Sequence, residues 1–151
     1  MMTIAHDFEY VRPGSLDEAV AAMAEPGARV LAGGTDLVAW LRDDLVEPTT
    51  VVDIKHVPGL SGIEEVAGKL RMGALATFSD LIASDLVRDR APMLAEMAHH
   101  VASIGIRNRA TVAGNLCSAV PSLDAGPPLL AFDGEITAIG PAGVTTMAVE
   151  D

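Results

Sequence analysis

The sequence predicts an α+β chain of two lobes. A small parallel βαβ lobe spans residues 1–57, and a lobe of helices with a mostly antiparallel sheet spans 58–151. Apolar residues make up 50% of the 151 positions but aromatics only 3%, so the core is aliphatic and large enough for one domain or two small lobes. A strand–helix–strand pattern with short connections runs from Ala28 to Ile54, the arrangement of a parallel pair. Beyond His56-Val57-Pro58-Gly59, read as the joint, the pattern changes to hairpins and separate helices.

Phe8-Glu9-Tyr10 and Arg12-Pro13-Gly14 lead into the first helix. Ser15 is its N-cap, with Glu18 completing a capping box. Leu16, Ala19, Val20 and Met23 mark one helical face, and Pro26-Gly27 ends it. Ala28–Ala32 is a short buried strand, Gly33-Gly34 its sharp exit, and Thr35 or Asp36 the cap of a helix over Leu37–Asp44. Leu37, Val38, Leu41 and Leu45 form that helix's apolar side. Thr49–Ile54 is β-branched and apolar, a second buried strand.

In the second lobe, Gly62–Val66 and Leu70–Leu75 flank an Ala67-Gly68 turn and read as a hairpin. Thr77 and Asp80 form another capping box, opening a helix through Val87. Pro92 starts the next helix at its first position, with Leu94, Met97, Ala98 and Val101 on the buried face. Ile106–Asp124 reads as a long loop of small residues. A short helix over Pro127–Phe132 and strands Glu135–Ile139 and Val144–Val149 follow. The last strand runs straight into Glu150-Asp151 with no cap or polar tail, which reads as a fragment of a longer chain.

Composition excludes several functions. A net charge of -11 opposes nucleic acid and anionic membranes, whose phosphates need Lys and Arg. A single cysteine, Cys117, allows no internal disulfide framework and no Cys-rich cluster motif. No basic stretch followed by an apolar run opens the chain, and no run of roughly 18 apolar residues occurs. A cytoplasmic protein is expected.

Two stretches carry the candidate chemistry. In Leu31–Leu37 (LAGGTDL), Gly33-Gly34 is either turn punctuation or a site where backbone amides approach a phosphate. The spacing is not GxGxxG, so an ordinary Rossmann fingerprint is missing. In Ile106–Asp124 (IRNRATVAGNLCSAVPSLD), the Thr111 hydroxyl and the Gly114 and Asn115 amides are candidate phosphate donors, and Ser118 and Ser122 add hydroxyls. Asp124 either accepts from a sugar hydroxyl or caps the helix at Pro127. Arg107 and Arg109 bring positive charge to this stretch of an acidic protein, or form surface ion pairs. Two phosphate-binding stretches point to a dinucleotide. Cys117 reads as a buried small hydrophobe, with a reactive thiol as the alternative, and Trp40 reads as packing. His99 and His100 lie about 100° apart on a helix and cannot chelate one metal, and no triad, paired-carboxylate or metal-ligand spacing stands out. Any redox chemistry would belong to a cofactor.

Five stretches in order resemble one family: Phe8–Ala19, LAGGTDL, VVDI (Val51–Ile54), GALATFSDL (Gly73–Leu81) and Ile106–Asp133. The chain resembles, over nearly its whole length, the FAD-binding medium subunit of the molybdenum hydroxylases, the xanthine dehydrogenase and aerobic carbon monoxide dehydrogenase type. The resemblance implies a PCMH-type FAD domain with the cofactor between its lobes. It implies that Ala32, Gly33, Gly34, Thr35 and Asp36, with Thr111, Ala113, Gly114 and Asn115, hold the pyrophosphate. It implies further that Asp124 binds a ribityl or ribose hydroxyl and that Leu116, Cys117 and Ser118 line the approach to the flavin. Partners would be a molybdopterin-binding large subunit and a small subunit with [2Fe–2S] clusters, in a dimer of heterotrimers. Electrons would pass from those clusters through FAD to NAD, oxygen or a quinone. A stand-alone PCMH-type flavin oxidase or reductase, or a packing domain without FAD, are the alternatives. Ala113 stands where relatives commonly carry a glycine and Gly105 where they carry Gln, and relatives continue for as long again.

Overall fold

Strand β3 (Thr50–Asp53), buried at every position, organises the first part of the computed structural model, which describes residues 4–121 and 123–150. It lies between β1 (Glu9–Val11) and β2 (Ala28–Leu31), parallel to both, with Val11 and Val30 each opposite Val52. A central parallel strand is covered on both faces, which is why it reads as a continuous β-branched run. Its side chains alternate between faces. Val52 packs with Ala19 and Ala28 under helix α1 (Leu16–Met23), while Val51 packs with Leu37 and Leu41 of helix α2 (Leu37–Arg42).

The expected parallel pair is there, and β1 joins it as a third strand where the sequence reading saw only a lead-in. Three residues with Tyr10 half exposed carry no usable periodicity. The capping box at α1 is shifted: Ser15 accepts from the Glu18 amide, but the Glu18 carboxylate accepts from Gly14 N at 2.7 Å rather than from Ser15. Helix α2 stops at Arg42, short of the expected Asp44, whose φ is 53°. Its apolar side narrows to Leu37 and Leu41, with Val38 and Leu45 exposed.

Beyond a 3-10 turn at Ile54–His56, β4 (Ile63–Val66) and β5 (Lys69–Met72) form the expected hairpin. Ala67 and Gly68 both take positive φ, the turn that matches strand twist. The helix expected through Val87 is two helices, α3 (Phe78–Ala83) and α4 (Asp85–Arg90). Ser84, extended at ψ 115°, ends one, and its hydroxyl accepts from Val87 N to start the other. Helix α5 (Pro92–His100) begins on its proline and packs Leu94, Ala95 and Ala98 against Phe78, Leu81 and Val87.

Half of the stretch read as a long loop is helical, a correction to the sequence reading. It contains α7 (Val112–Ser118) and the second half of α6 (Ile104–Arg107), followed by α8 (Gly126–Ala131). The Ser103 and Thr111 hydroxyls cap the first two. Small residues hid these short helices, since their helicity comes from caps and packing rather than propensity. Strands β6 (Glu135–Gly140) and β7 (Gly143–Ala148) pair antiparallel, apart from β4–β5, so the second part holds two ribbons rather than one sheet. Among the described residues no helix is long and apolar enough to cross a membrane.

Candidate functional site

The two candidate stretches meet beyond the C-terminal ends of β2 and β3, where ligands of parallel sheets lie. Residues 76–78 run beside 110–112: Val112 N donates to Ala76 O at 3.0 Å, and Phe78 N donates to Ala110 O at 3.1 Å. This pairing holds the segment before α7 in place, and the β2–α2 loop packs against it. A Cβ on Gly33 would fall 1.9 Å from the Arg109 carbonyl oxygen, so only glycine allows the loops to touch. A cleft of about 120 Å³ remains, with Ala32, Gly33 and Lys55 following the strands. Leu75, Thr77, Asn108, Arg109 and Thr111 supply the rest of its lining.

In the first loop, none of the amides of Gly33, Gly34, Thr35 and Asp36 finds an intramolecular acceptor among the described residues. Gly34 takes φ +79°, and a Cβ there would lie 2.9 Å from Leu31 Cδ1, so the turn itself demands glycine. Asp36 takes the expected N-cap position of α2, but its side chain makes no capping hydrogen bond there. Its carboxylate accepts from the Ser118 hydroxyl of α7, which joins the two stretches directly. That hydroxyl also lies 3.0 Å from Gly114 O, and the charged acceptor is the stronger partner for its single proton.

The second stretch is not the free donor set that the sequence reading describes. Gly114 N donates to Thr111 Oγ1 at 3.0 Å and Asn115 N to Thr111 O at 2.9 Å, so both amides close the first turn of α7. Of residues 112–115, Ala113 alone has an amide without an acceptor among the described residues. It sits within α7, where its methyl costs no backbone strain. The Asn115 side chain accepts from Ala125 N at 2.9 Å and ties α7 to α8. Thr111 is buried, and its hydroxyl proton remains available as a donor.

Three expectations about single residues are corrected. Cys117 is exposed rather than buried, because α7 turns it away from the core. Asp124 is exposed and does not cap α8, whose N-cap is Ala125. Arg107 forms no surface ion pair among the described residues, since its guanidinium donates to the carbonyls of Val101 and Ala102 at 2.8 and 3.1 Å, beyond the end of α5. Ser122 lies outside the described residues. Among the described residues no group of three His, Cys, Asp or Glu side chains gathers as a metal site.

The sequence reading missed the charged group beside the cleft. Asp53, 2% exposed, accepts from the Tyr10 hydroxyl, from Lys55 N at 3.0 Å and from Lys55 Nζ at 2.7 Å. Burial pushes its carboxyl up, but the Lys55 and Tyr10 hydrogen bonds outweigh burial and hold it at about 2. The same hydrogen bond to Asp53 raises the Tyr10 phenol. An acid closing an otherwise apolar strand, Val51-Val52-Asp53, was the available signal.

The parallel sheet carries a donor-lined cleft beyond its carboxyl ends, the place where ligands of such sheets bind, and comparison gives the family. Residues 6–151 match the family described as "FAD binding domain in molybdopterin dehydrogenase". The chain belongs to this family, whose ligand is FAD. It is 34% identical over 145 residues to the carbon monoxide dehydrogenase medium chain of Hydrogenophaga pseudoflava, covering 95% of this chain and 50% of that one. It is 35% identical over 137 residues to the xanthine dehydrogenase FAD-binding subunit of Escherichia coli O157:H7, covering 89% and 47%. Among solved structures, carbon monoxide dehydrogenase from H. pseudoflava lacking the Mo-pyranopterin moiety superposes with a TM-score of 0.94 at 33% identity, over 99% of this chain and 52% of that one. Quinoline 2-oxidoreductase from Pseudomonas putida 86 gives 0.91 at 31% identity, over 96% and 51%. The chain spans about half the length of these relatives.

Proposed function

We propose that this chain holds FAD across the β2–α2 loop and the 108–115 segment, within the flavin-bearing subunit of a molybdenum hydroxylase. The run of four amides from Gly33 to Asp36 without an acceptor among the described residues, beside the cleft of a chain in an FAD-binding family, carries the reading. Successive N–H groups in a turn suit the oxygens of a diphosphate.

In this reading residues 1–57 and 58–151 are lobes that flank the cofactor. Ala32, Gly33, Gly34, Thr35 and Asp36 present backbone donors, and Thr111 adds its hydroxyl and Ala113 its amide. Gly114, Asn115 and Ser118 act by fixing α7 and its approach to the first loop. Exposed Asp124 receives a ribose or ribityl hydroxyl, and exposed Cys117 faces the approach to the flavin. Bound there, FAD would supply a carrier between the [2Fe–2S] clusters of a small partner subunit and an external acceptor. A molybdopterin-binding large subunit would complete a cytoplasmic dimer of heterotrimers.

The test is a flavin-fluorescence titration of the protein, expressed as its complete natural chain and stripped of flavin, with FAD and riboflavin in parallel. Tight FAD binding with weak riboflavin binding is expected. Equal affinity for the two, or none for either, would overturn the reading.

A further inference from the structure

We infer that Arg109 is the charge-selecting residue of this site, the cation that pairs with the cofactor's diphosphate. The inference rests on the FAD reading above. The chain carries 21 acidic and 10 basic residues, a net charge of -11, so its overall field repels a dianionic ligand. A site for such a ligand needs local positive charge. The cleft lining holds two cations, Lys55 and Arg109, and no carboxylate.

The carboxylates on the surrounding segments are each engaged. Asp36 accepts from Ser118. Asp80 accepts from the Thr77 amide and hydroxyl at 2.8 and 2.7 Å. Asp53 accepts from Tyr10 and Lys55. The Lys55 ammonium, 2.7 Å from Asp53, has its charge largely offset. Arg109 differs: it is exposed, and its guanidinium enters no ion pair or hydrogen bond among the described residues. Arg42, Lys69, Arg71, Arg88 and Arg90 all sit in ion pairs, and Arg107 donates to carbonyls. Arg29 is also unpaired among the described residues but stands on β2, away from the cleft lining.

The backbone of Arg109 is fixed where this role needs it. Its amide donates to Ile106 O at 2.9 Å, and its carbonyl abuts Gly33, the first of those four amides. A planar guanidinium rooted there can donate two parallel hydrogen bonds to phosphate oxygens, which an ammonium cannot match.

The experiment titrates the same complete, deflavinated chain with FAD and riboflavin at low and high salt, comparing R109Q, R109K and R71Q. Arg71 is paired with Glu64 in the β4–β5 hairpin, so R71Q changes net charge equally without touching the cleft. R109Q should raise the FAD Kd about tenfold or more, flatten its salt dependence and leave riboflavin unchanged, with R109K intermediate. If R109Q binds FAD like R71Q, or loses FAD and riboflavin equally, the role of Arg109 is overturned while the FAD reading stands. If the unmutated chain does not prefer FAD to riboflavin, the FAD reading itself fails.

Discussion

Asp53 ends the central strand of the parallel sheet and holds Lys55, which lines the cleft. A buried carboxylate survives only when its hydrogen bonds compensate its desolvation, and here three donors converge on it. Its carboxyl is held at about 2, below the unfolded value. The stability it contributes is therefore fully present above about pH 4 and lost as pH falls through 2. Asp53→Asn should flatten the acid limb of the stability profile between those values and lower stability at neutral pH by about 1–3 kcal/mol, read from urea midpoints at several pH values. Tyr10 is the single tyrosine of these 151 residues, and its phenolate can be followed by difference absorbance against a Tyr10→Phe variant. That titration should fall back toward the ordinary tyrosine range in the Asn variant, because the largest cause of the raised phenol is removed. An unchanged phenol would contradict the Tyr10–Asp53 contact.

Elements were legible in the sequence wherever one signal sufficed to specify them. The Thr77/Asp80 capping box, the Ala67-Gly68 hairpin and Pro92 at a helix start each need only neighbours in sequence, and all three form. Thr77→Ala should cost about 1 kcal/mol in thermal or denaturant midpoint, through loss of the cap on α3. An effect within a few tenths would show that the pairing of 76–78 with 110–112 fixes α3 by itself. What sequence did not show depends on distant partners. Helix α7 depends, besides its local Thr111 cap, on the bond from Val112 N to the distant Ala76 O, which leaves no periodic pattern. The break at Ser84 was hidden for the opposite reason: the apolar spacing continues through it while the backbone does not.

At the scale of the whole molecule, sequence names Asp36 and Ser118 separately, and the structure joins them across 82 positions. Asp36 would repel a phosphate if its carboxylate were free, and the Ser118 hydroxyl gives that charge a partner. Gly33 against Arg109 O closes the same seam at a second point. Of the residues that sequence named for the cofactor, Ala32, Gly33 and Thr111 line the cleft; illegible were Lys55 and Leu75 beside them, and which side chains hold one another. A double-mutant cycle tests one such pair. Asp36→Ala and Ser118→Ala should each weaken FAD binding, and the double variant should be better than their sum by roughly 0.5–3 kcal/mol, since removing either partner already breaks the contact. The same cycle on unfolding free energy should give coupling of the same sign without cofactor, because the bond precedes ligand binding. Strict additivity in both measurements would mean that Asp36 and Ser118 meet the ligand independently. Coupling in stability but not in affinity would make the pair a structural tie with no bearing on the cofactor.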